Sequence, residues 1–386
     1  MGRVAGNHDT DWLLPSQLCK LTSEFLTEVY SEGLALYPFT TSVVEGRYVS
    51  DYRLPWALRY TINTLLGRVR AGRACTDGAP SLEAVDREIA EFVGRYDSTL
   101  DAGDRGLLLV LLVEAGRLDD LSRAIDNASE SVRQTGIAAL NLQDLSWLAW
   151  GAVRAAEAGA TSAEPLAATL RAELVERSAP SGLAQHKPSR LRRDIVSFGG
   201  TVYYLRALHE YGRALDDAEA RTRFERGVRS ALGLQGARGE WPWMIGVTSG
   251  HALDVYPVYS VHQLAMAMLF LLPALDDGKV AGVAEAIERS YRWTMGANEL
   301  AIPFGARHPF IVYRSIERRE PAPKLSRFGR AAFRSRIGSA APKTPARRVQ
   351  INPEWRSYEG GWLLYAWADR PDALVADPAP AGQSSG

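Results

Sequence analysis

Cysteine is nearly missing from this chain. Cys19 and Cys75 are the only two, far apart and without a CxxC or His-rich setting, which fits reduced, packed thiols better than a disulfide framework. Charge of one sign is equally scarce: 45 Lys and Arg balance 45 Asp and Glu, so no nucleic-acid partner is expected. His186, His209, His251, His262 and His308 lack HxxxH or HExxH spacing, and neither a metal nor another cofactor is expected. Long apolar runs are missing too. The longest nearly uncharged stretch, Tyr256 to Ala274, carries His262, Gln263 and two prolines, and the amino terminus has no apolar core. Neither a membrane span nor a signal peptide is therefore expected, and the expected location is the cytoplasm.

Hydrophobic residues make up 46% of the chain, enough for a large core, and they repeat mostly every 3.6 residues. In Ser81 to Val93 a Ser cap precedes apolar Leu82, Val85, Ile89 and Phe92 at helical spacing. Similar patterns occupy approximately 16–36, 53–71, 103–116, 118–129, 131–141, 144–158, 162–177, 197–215, 217–233, 257–274, 279–296 and 356–368. They predict about thirteen helices and almost no strand.

The helices fall into two loosely alternating classes. One has a charged outer face, as in Ala218 to Leu232. The other opens on an acid followed by aromatic and small residues: Asp51 to Trp56, Asp144 to Trp150, Asp194 to Tyr204, Asp254 to Gln263 and Glu354 to Trp362. This alternation predicts one all-α domain over 10–370, an α/α toroid whose inner helices start on a common rim. Backbone N–H groups and acidic caps would gather there. The plainer reading is that the acids are ordinary N-caps and the aromatics pack on neighbours.

Residues 321–350 contain no Asp or Glu and eight Lys or Arg. Leu325 to Ile337 can form a basic amphipathic helix with Leu325, Phe328, Ala332 and Ile337 on one side. A solvated loop, a lid and a peripheral membrane contact are the open readings. The tail 377–386 is Pro, Ala, Gly and Ser and is expected to be disordered.

Gln235-x-x-x-Gly239-x-Trp241, continued by Pro242, resembles the QW motif of squalene and oxidosqualene cyclases. That resemblance implies an α/α toroid in which the Gln and Trp brace one helix end against the next helix. It also implies acid-initiated cyclisation or isomerisation of an isoprenoid. The family's DxDD acid is absent, and Asp254 is the nearest positional substitute, with Glu240 second. On this leading reading Asp254 donates the proton, while Glu240 and His262 shape its acidity. Trp241, Trp243, Tyr256 and Tyr259 would stabilise the cation. Trp56, Trp147, Tyr203, Tyr358 and Trp362 would complete an aromatic cavity for a small hydrophobic substrate. Asp119-Asp120-Leu121-Ser122-Arg123 puts Arg where a DDxxD cluster needs a carboxylate, so a magnesium–diphosphate site is not expected.

Two alternatives use the same residues. Six-hairpin toroids resembling this pattern include glycosidases, polysaccharide lyases and sugar epimerases, whose partner is a glycan. Glu240, Asp254, Glu299 and Glu359 would then be candidate acids, and Tyr259 and His262 a proton-moving pair. The other alternative is a noncatalytic protein that holds a lipid or glycan.

Overall fold

Side-chain caps fix where several helices begin. Ser81 accepts from the Ala84 N–H, Asp101 from Asp104, Asn141 from Asp144 and Ser197 from Gly200. Each satisfies an amide that the first helical turn leaves open. A computed structural model describes residues 13–187, 193–307, 309–319, 324–342 and 344–370. The expected disorder of 377–386 and the first residues of the expected 10–370 toroid lie outside the described residues, as do 321–323 and 343 of the basic segment.

Six helices form an inner ring: α2 (Trp56–Arg73), α4 (Ala102–Ala115), α6 (Leu142–Glu157), α8 (Phe198–Ala214), α10 (Met268–Asp277) and α13 (Ser357–Trp367). Each packs on the next in that order. The last, α13, closes the circle by packing on α2 and on the π-helical turn His262–Met266 that precedes α10. Outside them lie α1 (Pro15–Glu28), α3 (Leu82–Tyr96), α5 (Leu118–Thr135), α7 (Glu164–Arg177), α9 (Ala218–Leu232) and α11 (Val283–Thr294). The outcome is the expected α/α toroid, in a single domain.

Two inner contacts depend on glycine. A Cβ on Gly67 of α2 would stand 2.1 Å from the Gly361 carbonyl oxygen of α13, and one on Gly151 of α6 would stand 2.2 Å from the Gly106 oxygen of α4. The backbones therefore touch where any side chain would force them apart.

Several sequence expectations are corrected. The patterns at 118–129 and 131–141 are not two helices, because α5 runs unbroken to Thr135 and only a short 3-10 turn follows. The pattern starting near 257 is helical only from Ser260, two residues before the π turn at His262. Among the described residues there are also ten short strands. These are β1 (Thr40–Val44), β2 (Arg47–Asp51), β3 (Ile195–Ser197), β4 (Met244–Gly246), β5 (Ala252–Asp254), β6 (Val258–Tyr259), β7 (Gly305–Arg307), β8 (Phe310–Val312), β9 (Ser315–Arg318) and β10 (Val349–Asn352). They pair antiparallel as β1–β2, β3–β4–β5, β10–β9–β6 and β7–β8. Strands of two to five residues are too short for alternation to declare itself in sequence.

The basic segment forms α12 (Lys324–Ile337), which packs on β3 and β5. Its Phe328 and Ala332 face Trp243 and Met244 rather than a membrane, whereas Phe333 and Ile337 point outward. Among the described residues no helix is long and apolar enough to cross a membrane.

Gly67→Ala should destabilise the fold by about 1–3 kcal/mol through this enforced clash. Gly94→Ala, on an open surface of α3 with nothing within 4 Å of the added carbon, should be neutral or stabilising by about 0.4–1 kcal/mol. Denaturant unfolding of both variants checks the contrast.

Candidate active site

The connectors are unequal at the two ends of the ring. At the amino ends of the inner helices, 29–55, 178–197, 233–261 and 295–356 carry every strand named above and α12. The segments at the carboxyl ends, such as 116–117 and 215–217, are short. Long connectors on a rigid scaffold are where binding groups collect. Two connectors on the amino rim, 97–101 and 136–141, are also short. The rim is thus walled around α8, α10 and α13 and low beside α4 and α6.

On the low side, the first turns of α2, α4 and α6 bring an arginine to three carboxylates. Arg59 donates from Nε to Asp104 at 2.5 Å and from Nη2 to Asp101 at 2.9 Å, and lies 3.5 Å from Asp144. Its guanidinium sits 4.8 Å from the Trp147 ring centre. Burial pushes the Asp104 carboxyl up to about 6, against the opposing pull of Arg59. Asp144 is also raised by burial, with Arg59 and Lys187 favouring its charge. Its side chain is 18% exposed against 6% for Asp104, so Asp144 is the more accessible of the two.

On the walled side, β9 and β10 place Arg314, whose backbone bonds Asn352 and Ser260. Arg314 donates to Glu354 at 2.8 Å, and Arg356 donates to Glu354 at 3.3 Å and to the Tyr60 hydroxyl at 2.9 Å. Glu354 thereby takes both guanidiniums. Glu359, in the first turn of α13, is buried with neither carboxyl oxygen hydrogen-bonded. Burial pushes it up to about 8, despite the lowering effect of Arg314 and Arg356, so it is mostly protonated at neutral pH. His262 is pushed down to about 3 by burial and then by Arg314, which leaves a neutral imidazole 5.1 Å from the Tyr259 ring.

The two sides belong to one rim. Tyr203, packed 4.9 Å from Trp147 and 5.8 Å from Trp362, responds electrostatically to both Arg59 and Tyr60. Tyr358 lies 4.5 Å from Tyr60 and responds to Glu359. Below the rim, Trp150 of α6 stacks 6.1 Å from Trp362 of α13. These helices are not ring neighbours, so the contact passes through the centre.

At the carboxyl end lies a cavity of about 640 Å³, lined in part by Arg70, Arg154, Arg206, Glu210 and Arg213. There Glu210 is as buried as Glu359, yet its carboxyl is held at about 2. Burial raises it, but Arg206, Arg213 and Arg154 together outweigh that effect.

The residues expected to form one aromatic cavity divide between the rim and its supports. Trp56, Trp147, Tyr203, Tyr259, His262, Tyr358 and Trp362 belong to the rim or the plug beneath it. The others hold the wall. Asp254 is clamped by Arg318 at 2.7 Å and Arg327 at 3.2 Å, which ties β5 to β9 and α12. Both oxygens of this carboxylate are taken up by guanidinium hydrogen bonds, so neither faces a guest. Arg327 also lies 4.1 Å from the Trp243 ring centre. Tyr256 donates to Glu299 at 2.6 Å, and Trp293 donates to the same carboxylate at 3.1 Å. Glu240 caps its own turn by accepting the Arg238 N–H.

The QW-like segment is a brace, as its resemblance implied. Gln235 donates to the carbonyls of Gly239 and Ala286, and Trp241 donates to Ser290 at 2.8 Å, tying the end of α9 to α11. Gly239 is required twice over. Its φ is +103°, and a Cβ would stand 2.1 Å from the Arg289 carbonyl oxygen.

Sequence reasoning missed Arg59, Asp101 and Asp104 and gave Arg314 and Arg356 no role. The one available signal was Asp101-x-x-Asp104 at the start of an apolar helix, which reads equally well as simple capping.

No family model matches the sequence, and no curated protein matches it. Solved structures do match the fold. Cellobiose 2-epimerase from Bacillus thermoamylovorans B4167 aligns with a TM-score of 0.61 at 12% identity, over 90% of this chain and 95% of that one. An unsaturated glucuronyl hydrolase from Bacillus sp. GL1, responsible for the degradation of glycosaminoglycan, gives 0.54 at 13% identity, over 92% and 96%. An inactive variant of an α-1,6-mannanase from Salegentibacter sp. HEL1_6, in complex with α-1,6-mannotetrose, gives 0.57 at 10% identity, over 92% and 98%. These neighbours overturn the isoprenoid-cyclase reading in favour of the carbohydrate alternative. The geometry agrees: both oxygens of the intended proton donor, Asp254, are held by arginines in the wall, and the central rings touch one another rather than facing an enclosed cavity. Nothing in these neighbours supports the expected hydrophobic substrate.

Glu359 also makes a stability prediction. Its carboxyl is raised from an ordinary 4.5 to about 8 in the fold, so the folded chain holds a proton that the unfolded chain releases. Stability should therefore fall as pH rises from about 4.5 to about 8, by about 5 kcal/mol in total, and level off above. Thermal unfolding should show Glu359→Gln gaining on the wild type across that window. A constant gap would mean that Glu359 is ionised in the fold.

Proposed function

We propose that the protein is a carbohydrate-active enzyme that cleaves a glycosidic bond at the amino rim of its toroid. The observation that carries this reading is the buried Glu359, whose carboxyl burial pushes up to about 8, on the same rim as the Arg59-held carboxylates. Glu359 donates its proton to the glycosidic oxygen as the bond to the anomeric carbon breaks. Water adds to that carbon and passes a proton to Asp144, the more accessible of the two raised aspartates. Atoms and charge balance as hydrolysis, and exchange with solvent returns both groups to their starting states. An acid pushed up to about 8 beside a carboxylate held by Arg59 is the division of labour that such chemistry needs at neutral pH. Arg59 favours the charged form of Asp144 against the upward push of burial, and Asn141 orients it through a short hydrogen bond.

Epimerisation by Tyr259 and His262 is the weaker reading. An imidazole pushed down to about 3 is too poor a base to take a proton from carbon.

Across a panel of oligosaccharides, Glu359→Gln should lower kcat by about 10²–10⁴-fold. Wild-type kcat should decline above pH 8, where the donor is lost. Asp144→Asn should lower kcat as well, and with it remove the acidic limb of the profile. Undiminished cleavage by Glu359→Gln would refute the assignment.

A further inference from the structure

A file of rings descends the rim from solvent to the acid. Trp56, the first residue of α2, is 50% exposed. Its ring centre lies 6.2 Å from Phe39, Phe39 lies 5.4 Å from Tyr60, and Tyr60 lies 4.5 Å from Tyr358. Tyr358 immediately precedes Glu359. Trp56 is exposed, and the three inner rings are all partly buried. Arg356 covers one face of Phe39 at 4.1 Å and bonds the Tyr60 hydroxyl, so the inner rings are held in place by the groups that surround the acid. Among the described residues no arginine covers Trp56, and half of its surface is open to solvent.

The position of Trp56 gives that exposure a direction. The next inner helix after α2 is α4, and the connectors leading into α4 and α6 are the short ones, 97–101 and 136–141. A ligand whose end reaches Glu359 meets long connectors beside α8, α10, α13 and α2 and only short ones beside α4 and α6, and Trp56 stands at the edge where α2 adjoins that low side. A single sugar would occupy only the inner end of the file and leave the outer ring unused. A chain of sugars leaving by the low side passes Trp56, and the apolar face of a pyranose stacks on indole as other flat apolar surfaces do.

We infer that the rim takes an oligosaccharide rather than a free monosaccharide, with Trp56 as an outer platform for a sugar unit removed from the bond cleaved at Glu359. Trp56 is a specificity residue, not a catalytic one, and the inference rests on the glycoside-cleaving reading. Discrimination comes from contact area: each added unit that reaches the indole gains binding, and units beyond it gain none. The dependence of kcat/KM on chain length should therefore rise and then level off.

The test is kcat/KM for neutral oligosaccharides from disaccharide to hexasaccharide, measured on the wild type, Trp56→Ala and Trp56→Phe. The ratio of the hexasaccharide value to the disaccharide value should fall roughly tenfold in Trp56→Ala and by less in Trp56→Phe, which keeps a flat face. Thermal unfolding of the variants separates this effect from misfolding, since a general loss of folded protein lowers both values and leaves the ratio unchanged. If the wild type cleaves sugars but the ratio is the same in Trp56→Ala, the platform is wrong and the Glu359 chemistry stands. If the wild type neither cleaves the series nor binds it by tryptophan fluorescence titration, both readings fall.

Discussion

The ring closes where α13 meets α2 at Gly67 and Gly361, and the chemistry of the rim follows from that contact. A Cβ on Gly361 would stand 2.4 Å from the Asn63 carbonyl oxygen, so the two backbones can approach this closely only without side chains. The last helix among the described residues is thereby drawn into the wall beside the first inner one. Glu359, two residues before Gly361, is carried below the surface as a consequence. Tyr358 is carried against Tyr60, and Arg356 against both Tyr60 and Phe39. Holding the ring shut and burying a carboxyl are one packing event.

Burial alone does not make an acid, and the two ends of the toroid show why. Glu210 and Glu359 are equally hidden, but Glu210 receives hydrogen bonds or close charge from Arg206, Arg213 and Arg154 and stays ionised. The arginines near Glu359 spend their hydrogen bonds on Glu354 and Tyr60. Desolvation therefore wins at one end and ion pairing at the other. The carboxyl end of the ring is an ion-paired base around Glu210, and the amino end holds a proton that can be given away. The long connectors, the low side of the rim and the aromatic file all lie at this second end.

The toroid was legible in the sequence because its signals are local and repeated. Caps such as Ser81 and Asn141, helical apolar spacing and aromatic-rich inner segments recur along the chain, and each can be read without its partner. Glu359, Tyr203, Tyr358 and Trp362 were visible for the same reason, as parts of inner-helix starts. What decides the role of a carboxylate is not local. Asp254 and Glu359 look alike in sequence, yet Asp254 meets Arg318 and Arg327 from 64 and 73 residues away, while the arginines near Glu359 bond Glu354 and Tyr60 instead. Arg59 drew no notice because its three carboxylates stand 42 to 85 residues further on. The QW-like spacing was a true structural signal attached to the wrong chemistry: a brace between helices serves any toroid, whatever its rim does.

Everything functional in this account requires Glu359 to carry its proton at neutral pH. Infrared difference spectroscopy of the wild type against Glu359→Gln, in the region of the protonated carboxyl C=O stretch, observes that proton directly. At pH 7 the wild type should show a carbonyl band that the variant lacks, and the band should disappear on titration through about pH 8. Identical spectra at pH 7 would show an ionised Glu359 and contradict the acid on which the proposed reaction depends.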